Sequence, residues 1–254
     1  MTELHMTRIA SHRGGTLDFG DSTPAAFRAT AALALEEVEF DLHPSADGAI
    51  IVHHDATLDR STDRSGAIAG MSLAEIRGAR LDHGAGAPPP TLQELCAIFR
   101  DSPVGFRCEF KPGADGRPYP GFVPRVLEAL AREGMLARTV FSSFQIETQD
   151  ELARLSDRPR LWLVSPPVLR QLGEAAVIET ALAHGIPEIG VMIDCADAGL
   201  QARARAAGLE FGCYAAHDTA RIDRALALGV KVFTTDRPLL AIARREAFLQ
   251  ERGA

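Results

Sequence analysis

From Gly105 onward the chain repeats one pattern: a short apolar run, a polar break, then a longer stretch with helical spacing. The apolar runs are Gly105–Phe110, Thr139–Ser143, Arg160–Val164, Ile189–Ile193, Glu210–Tyr214 and Val230–Thr234. Helical candidates lie between them at Pro120–Glu133, Ile146–Ser156, Gly173–His184, Ala198–Ala207 and Thr219–Leu228. Gly134, Gly185, Gly208 and Gly229 stand at helix ends or just before the next strand, where helices commonly stop. Strict alternation predicts a parallel sheet with helices outside it. Two earlier strands, one ending at His12 and one beginning at Glu39, bring the count of βα-type strands to eight. Eight such units in 254 residues suit an α/β fold closed as a (β/α)8 TIM barrel better than an open sheet. Residues 1–254 are expected to form a single domain.

Before Gly105 the pattern carries two additions. Thr23 and Pro24 read as the N-cap and first position of a helix running from Ala25 to about Glu36. The strand at Glu39 is followed by Asp47-Gly48, a two-residue hairpin turn, and by a returning arm at Ile50–His53. A register centred on that turn sets Asp41 opposite His54. Residues 57–90 are polar and rich in glycine and proline, too long for a plain connection. They are expected to form an excursion at the C-terminal face of the barrel, with local helix around Ser72 to Arg77. Thr91 to Glu94 is a capping box that opens the next helix.

At 46% hydrophobic and 24% charged, the chain has an ordinary globular composition. A net charge of -7 argues against a nucleic-acid surface, but a metal and a few cations can reverse the field inside one cleft. No apolar run reaches the length of a membrane span, and the N-terminus lacks the apolar stretch of a signal peptide. Cys96, Cys108, Cys195 and Cys213 are dispersed and read as reduced thiols, which with the missing signal predicts a cytoplasmic setting.

The unusual residues fall at the C-terminal ends of the first three barrel strands, where barrels of this kind place their active sites. His12 and Arg13 end the first. Glu39 and Asp41 alternate with Val38 and Phe40, so both carboxylates share one face. Glu109 and Lys111 alternate with Cys108 and Phe110 in the same way. Alone, Glu39 and Asp41 describe an edge strand with one wet face; with Glu109 and Lys111 on a second strand they describe a site. Buried like charges raise one another's pKa unless neutralised. One divalent cation bound by Glu39, Asp41 and Glu109 resolves that cost, and hard oxygen ligands suit Mg2+ or Ca2+. Arg13 and Lys111 then remain to hold an anion, most naturally a phosphate. Asp55 is expected to orient a neighbour or cap the next segment. His53 points away from His54 and reads as structural or exposed. His43 shares the carboxylate face and could approach the site further up the hairpin, but is expected to be exposed; His5, His83 and His184 read as surface residues, and His217 as a loop histidine. Asp236 reads as the N-cap of the last helix.

His12-Arg13-Gly14, Asp21-Ser22-Thr23-Pro24, Glu39-Phe40-Asp41, Asp47-Gly48, His54-Asp55, Thr57-Leu58-Asp59-Arg60, Pro90-Thr91-Leu92, Glu109-Phe110-Lys111, Ser142-Ser143-Phe144 and Thr235-Asp236-Arg237-Pro238 together resemble the glycerophosphodiester phosphodiesterases. The resemblance covers nearly the whole chain, in the family's order. It implies a TIM barrel and metal-dependent hydrolysis of small-molecule glycerophosphodiesters to sn-glycerol 3-phosphate and an alcohol, in glycerophospholipid catabolism. By position, Glu39, Asp41 and Glu109 match the family's metal ligands. His12 and His54 match its acid/base pair, and Arg13 and Lys111 its phosphate contacts. The resemblance also favours attack by the neighbouring glycerol hydroxyl, with His12 as base and His54 as acid.

Two segments depart from the family. Asp21-Ser22-Thr23 stands where Glu-Asn-Thr is usual, and Tyr214-Ala215-Ala216-His217 where Trp-Thr-Val-Asn is usual. Tyr214 would keep an aromatic wall on the substrate pocket and add a hydroxyl. A phosphodiesterase acting on lysophospholipid or sphingomyelin headgroups is the nearest competing function, and would need an apolar entrance near the excursion. A catalytically silent barrel that binds phosphodiesters is the third, and has no need of two acid/base groups.

Overall fold

The computed structural model describes residues 6–253. His5 lies outside them. Nine strands form one sheet: β1 (Arg8–His12), β2 (Glu37–Pro44), β3 (Ile50–Val52), β4 (Gly105–Phe110), β5 (Thr139–Ser143), β6 (Arg160–Val164), β7 (Glu188–Met192), β8 (Glu210–Tyr214) and β9 (Val232–Thr235). Eight of them pair in parallel around a ring, and β1–β2 and β1–β9 contacts close it. β3 lies outside the ring, antiparallel to β2. Helices follow the barrel strands, so the chain is the (β/α)8 barrel that its alternation predicts.

Burial follows strand parity. Val38, Phe40 and Leu42 of β2 turn outward under the helices, and Phe40 meets Phe106 edge to face at 5.0 Å. The other parity of β2 carries Glu37, Glu39, Asp41 and His43 into the barrel, all of them buried. Such a strand is tolerated only because its polar groups find partners inside. At the lower layer Arg107 Nε donates to Glu37 Oε2 at 2.6 Å, Arg8 lies 3.0 Å from Glu37, and Lys231 reaches Glu188 at 2.6 Å. This layer floors the cleft above it.

The hairpin differs from the expected register. Leu42 pairs with Val52, His43 with Ile51 and Pro44 with Ile50. Asp41 therefore faces His53, whose amide donates to the Asp41 carbonyl at 3.0 Å. The cause is the turn. Ser45 N donates to Ala49 O at 2.8 Å, leaving Ala46-Asp47-Gly48 as a three-residue loop with Gly48 at φ 96°. A left-handed glycine in the last loop position is the usual way to close such a loop.

The first long helix is Pro24–Ala31, shorter than expected at its C-terminal end. Thr23 caps it as expected, accepting from Ala26 N at 3.0 Å. Ser102 donates its hydroxyl to Ala31 O at 2.7 Å, so the helix end is satisfied there and the chain is free to turn into β2. A further helix at Pro166–Leu172 lies between the expected Arg160–Val164 strand and Gly173–His184 helix; its two prolines occupy the first turn, where no amide partner is needed. β7 and β9 begin at Glu188 and Val232, against expected starts at Ile189 and Val230.

Residues 57–90 form the expected excursion. Its Leu58, Ile68, Ile76 and Ala79 pack with Ile51 of β3 into a second small core. A capping box at Ser72 and Glu75 opens a helical turn at Leu73–Ile76. Asp47 at the hairpin tip accepts from Leu73 N at 3.0 Å, which ties the excursion to the hairpin.

Candidate active site

A cavity of about 190 Å3 opens at the C-terminal end of the barrel, lined by residues that include His12, Arg13, Glu39, His54, Glu109 and Lys111. Register explains the convergence: His12 of β1 lies beside Glu39 of β2, and Asp41 of β2 beside Glu109 of β4. Glu39, Asp41 and Glu109 are buried and offer oxygens within 4.8 Å of one another. At an effective dielectric of 20, each like pair at that distance repels by roughly 3.5 kcal/mol.

Two cations answer part of this. Lys111 Nζ lies 2.6 Å from Glu109 and 3.1 Å from Asp41, and Arg13 Nε lies 3.1 Å from Asp41. Burial, then Asp41 and Glu109, push Glu39 well above the usual carboxylate range. Burial also lifts Glu109, against the pull of Lys111, to about 7. At Asp41 burial is outweighed by Lys111 and Arg13, which hold it below the usual range. Fully ionised, as they would be around a bound cation, the three carboxylates against Arg13 and Lys111 carry one net negative charge. Glu39 Oε1, Glu109 Oε1 and both Asp41 oxygens are buried without a directed hydrogen bond, although Asp41 and Glu109 lie at ion-pair distance from the cations. Orphaned carboxylate oxygens of this kind fit a divalent cation: it would satisfy them and bring the cleft to one net positive charge, matched to a phosphodiester anion.

Arg13 is built in by its backbone. It has φ 51°, uncommon for a residue with a side chain. Its amide donates to Glu39 O at 2.9 Å and its carbonyl accepts from Ser22 N at 3.0 Å, while Asp21 takes its guanidinium at 3.3 Å. Asp21, shorter than the Glu usual there, thus still tethers Arg13. Gly15 follows at φ 89°, and a Cβ there would sit 2.9 Å from Pro238.

Each of the two expected histidines has a carboxylate on its Nδ1. His54 Nδ1 lies 2.5 Å from Asp55, which Arg60 holds in turn at 2.5 Å. Asp55 does orient a neighbour, as expected. His12 Nδ1 lies 2.5 Å from Asp236 Oδ1, and its Nε2 lies 3.7 Å from Glu39. A hydrogen on Nδ1 leaves Nε2 of a neutral imidazole as the acceptor. Burial would raise Asp236, but its bond to His12 prevails and holds it below the usual range. Asp236 is therefore more than a helix cap; its one signal in the sequence is the Thr235-Asp236-Arg237-Pro238 pattern.

His217 also reaches this wall. Its Nδ1 accepts from Asp236 N at 2.9 Å, and its ring stacks on His12 at 5.7 Å. Tyr214 lines the cavity as expected, donating to Val164 O at 3.2 Å and meeting Phe144 edge to face. One expectation fails. His43 is buried, not exposed: Nδ1 meets Tyr119 OH at 3.0 Å and Nε2 meets His54 O at 3.1 Å. Burial lowers it to about 4. His184 is half-buried and pairs with Asp150 at 2.8 Å, whereas His83 is exposed. His53 is structural: Nδ1 meets Asp55 O at 2.9 Å and Nε2 meets Ser61 Oγ at 3.0 Å. Cys96, Cys108, Cys195 and Cys213 are free thiols, three of them buried. No helix among the described residues is long and apolar enough to cross a membrane.

Fold and cleft together define a (β/α)8 barrel enzyme whose mouth joins an acidic cluster to two cations and to carboxylate-braced histidines. Comparison with known proteins gives this class its family. The pattern of the glycerophosphoryl diester phosphodiesterase family matches residues 12–240, and the chain belongs to that family. A crystal structure from Agrobacterium tumefaciens, of a protein assigned to the glycerophosphoryl diester phosphodiesterases, is 65% identical. It superposes with a TM-score of 0.96 over 96% of this chain and 99% of that one. A glycerophosphodiester phosphodiesterase from Caldanaerobacter subterraneus is 28% identical over 165 residues, spanning 62% of this chain and 66% of the relative. An Oleispira antarctica phosphodiesterase, solved with the product sn-glycerol-3-phosphate, shares the fold at 20% identity, with a TM-score of 0.82 over 95% of this chain and 97% of that one.

Proposed function

We propose that this protein hydrolyses glycerophosphodiesters to sn-glycerol 3-phosphate and an alcohol, as a single catalytic unit in glycerophospholipid catabolism, in the cytoplasm. The observation that carries the reading is one cleft holding three buried carboxylates, Arg13 and Lys111 between two histidines, each with a carboxylate on Nδ1. Family membership supports the reaction class. The Oleispira protein of the same fold, with sn-glycerol-3-phosphate as its product, supports the choice of product.

Glu39, Asp41 and Glu109 would hold one divalent cation, Mg2+ or Ca2+. Bound there, it would supply charge neutralisation at a phosphate oxygen. Arg13 and Lys111 bind the remaining anionic oxygen and orient the diester. His12 Nε2 takes the proton of the attacking hydroxyl, either water or the neighbouring glycerol hydroxyl; in the second case a cyclic phosphate forms as the alcohol leaves, and water then opens it to glycerol 3-phosphate, with its proton taken by one histidine and the ring oxygen protonated by the other. Asp236 keeps the proton on His12 Nδ1 and stabilises the imidazolium that forms. His54, as the imidazolium, gives its Nε2 proton to the departing alcohol oxygen, with Asp55 holding the ring through Nδ1. Tyr214 and Phe144 form the wall beside the alcohol.

The apolar side chains of the excursion are spent on its own small core, and none of the exposed large apolar residues lies in it. This supports a small diester over a lysolipid. Turnover of glycerophosphocholine, glycerophosphoethanolamine and a lysolipid, each with and without divalent cation, tests the reading. Cation-dependent release of glycerol 3-phosphate from the first two is the expected result; turnover of the lysolipid alone, or binding without turnover, overturns it.

A further inference from the structure

The β3 ladder ends at Val52, yet His54 must enter the cleft at a defined angle two residues later. Side chains replace the missing ladder. The His53 amide still reaches Asp41 O at 3.0 Å, but the next two carbonyls are met by histidines. His43 Nε2 lies 3.1 Å from His54 O, and His53 Nδ1 lies 2.9 Å from Asp55 O. A carbonyl oxygen only accepts, so His43 Nε2 carries its hydrogen. In the neutral ring Nδ1 is then an acceptor, and the hydroxyl 3.0 Å away on Tyr119 is the donor.

The resulting chain is directional: Tyr119 OH to His43 Nδ1, then His43 Nε2–H to the His54 carbonyl. Tyr119 belongs to the segment that follows Lys111 out of β4. Its ring is clamped edge to face between His43 (5.8 Å) and Phe122 (5.7 Å). One hydrogen-bonded path thus joins the segment that follows Glu109 and Lys111 to the backbone of His54.

We propose that His43 and Tyr119 are a positioning pair for His54, fixing the angle at which its imidazole enters the cleft. The pair touches neither substrate nor reacting atoms. The inference rests on the proposed role of His54 in proton transfer, so His54→Ala is the reference for its test.

The experiment compares His54→Ala, His43→Leu, His43→Gln and Tyr119→Phe on two diesters of glycerol 3-phosphate: glycerophosphoethanolamine and the p-nitrophenyl ester, whose leaving group departs without a proton. His43→Leu should lower kcat on the ethanolamine ester about 10–100-fold with KM within about 3-fold, the scale of loss for a misplaced catalytic group. Its losses on the two substrates should follow the same ratio as those of His54→Ala. His43→Gln, whose amide still donates to the carbonyl, should recover most of the rate. Tyr119→Phe should fall about 3–10-fold, and carries the test if His43→Leu does not fold. Wild-type kcat in folded His43→Leu or in Tyr119→Phe, or losses whose ratio differs from that of His54→Ala, overturns the inference. A second readout needs no turnover: the Nδ1 proton resonance of His54 should broaden in Tyr119→Phe as the ring loses its fixed contact with Asp55. A resonance as sharp as in the wild type counts against the pair. If His54→Ala retains full activity, the catalytic reading fails by itself, and the resonance still decides whether the pair positions the ring.

Discussion

His12 and Asp236 stand 224 positions apart in the chain, and their side chains meet at 2.5 Å. The contact exists because β1 and β9 are neighbours in the closed ring, with Ser11 beside Thr235. Asp236→Asn would present an amide in place of an acceptor-only carboxylate and lose the preference for a hydrogen on His12 Nδ1. Both residues are partly exposed, so the fold should survive. The expected outcome is a kcat reduced about 100- to 10,000-fold with a smaller change in KM, measured by glycerol 3-phosphate release. A rate within a few-fold of wild type would remove Asp236 from the machinery.

His12→Ala and His54→Ala should each keep the far-ultraviolet circular dichroism of the wild type and lose about 100- to 10,000-fold in turnover of glycerophosphodiesters. The two losses should not add in the double variant, because the residues serve one transition state. Near-wild-type turnover in either single variant excludes that histidine from the chemistry.

Chelation should abolish activity, and Mg2+ or Ca2+ should restore it. Binding has its own readout. A cation at 100 times its Kd stabilises the fold by about 2.7 kcal/mol, visible as a rise in Tm. Glu39→Gln and Glu109→Gln should lose that rise. They should also unfold at a higher Tm than the cation-free wild type, because each removes one member of a repelling buried cluster. A cation-induced rise that persists in both variants places the metal elsewhere.

His43 fixes the sign of one pH effect. Its folded pKa is about 4, below the unfolded value of about 6.5. Between those values the unfolded chain binds the extra proton, so stability falls as pH drops through that window and is fully retained above it. His43→Gln should unfold with a shallower dependence on pH between about 6.5 and 4 in urea titrations. An unchanged slope would show that His43 is not held neutral by burial.

Parity made most of this site legible in the sequence. Two residues per repeat is a rigid rule, so Glu39 with Asp41, and Glu109 with Lys111, could be assigned to shared faces without coordinates. The alternation of strands and helices fixed the barrel for the same reason. What escaped depends on contacts that no local pattern encodes. His43 has the parity of the carboxylates, but its burial depends on Tyr119, 76 positions away. The hairpin register missed by one because Asp47-Gly48 is compatible with loops of two or three residues, and Ser45 selects the longer one. Asp236 has the local signature of a helix cap, and only ring closure sets it against His12. Arg107 and Glu188, in the ionic floor, sit within ordinary-looking strands whose inward faces meet only in the closed barrel.

Closure of that ring also sets a schedule for biosynthesis. Glu39, Asp41, Glu109 and Lys111 are all translated well before β9 and the Asp236 that follows it. A nascent chain halted before Val232 would own its acidic cluster and both histidines, yet lack the strand that completes the ring and the carboxylate that braces His12. Full turnover therefore waits for β9 and Asp236, which close the ring and brace His12.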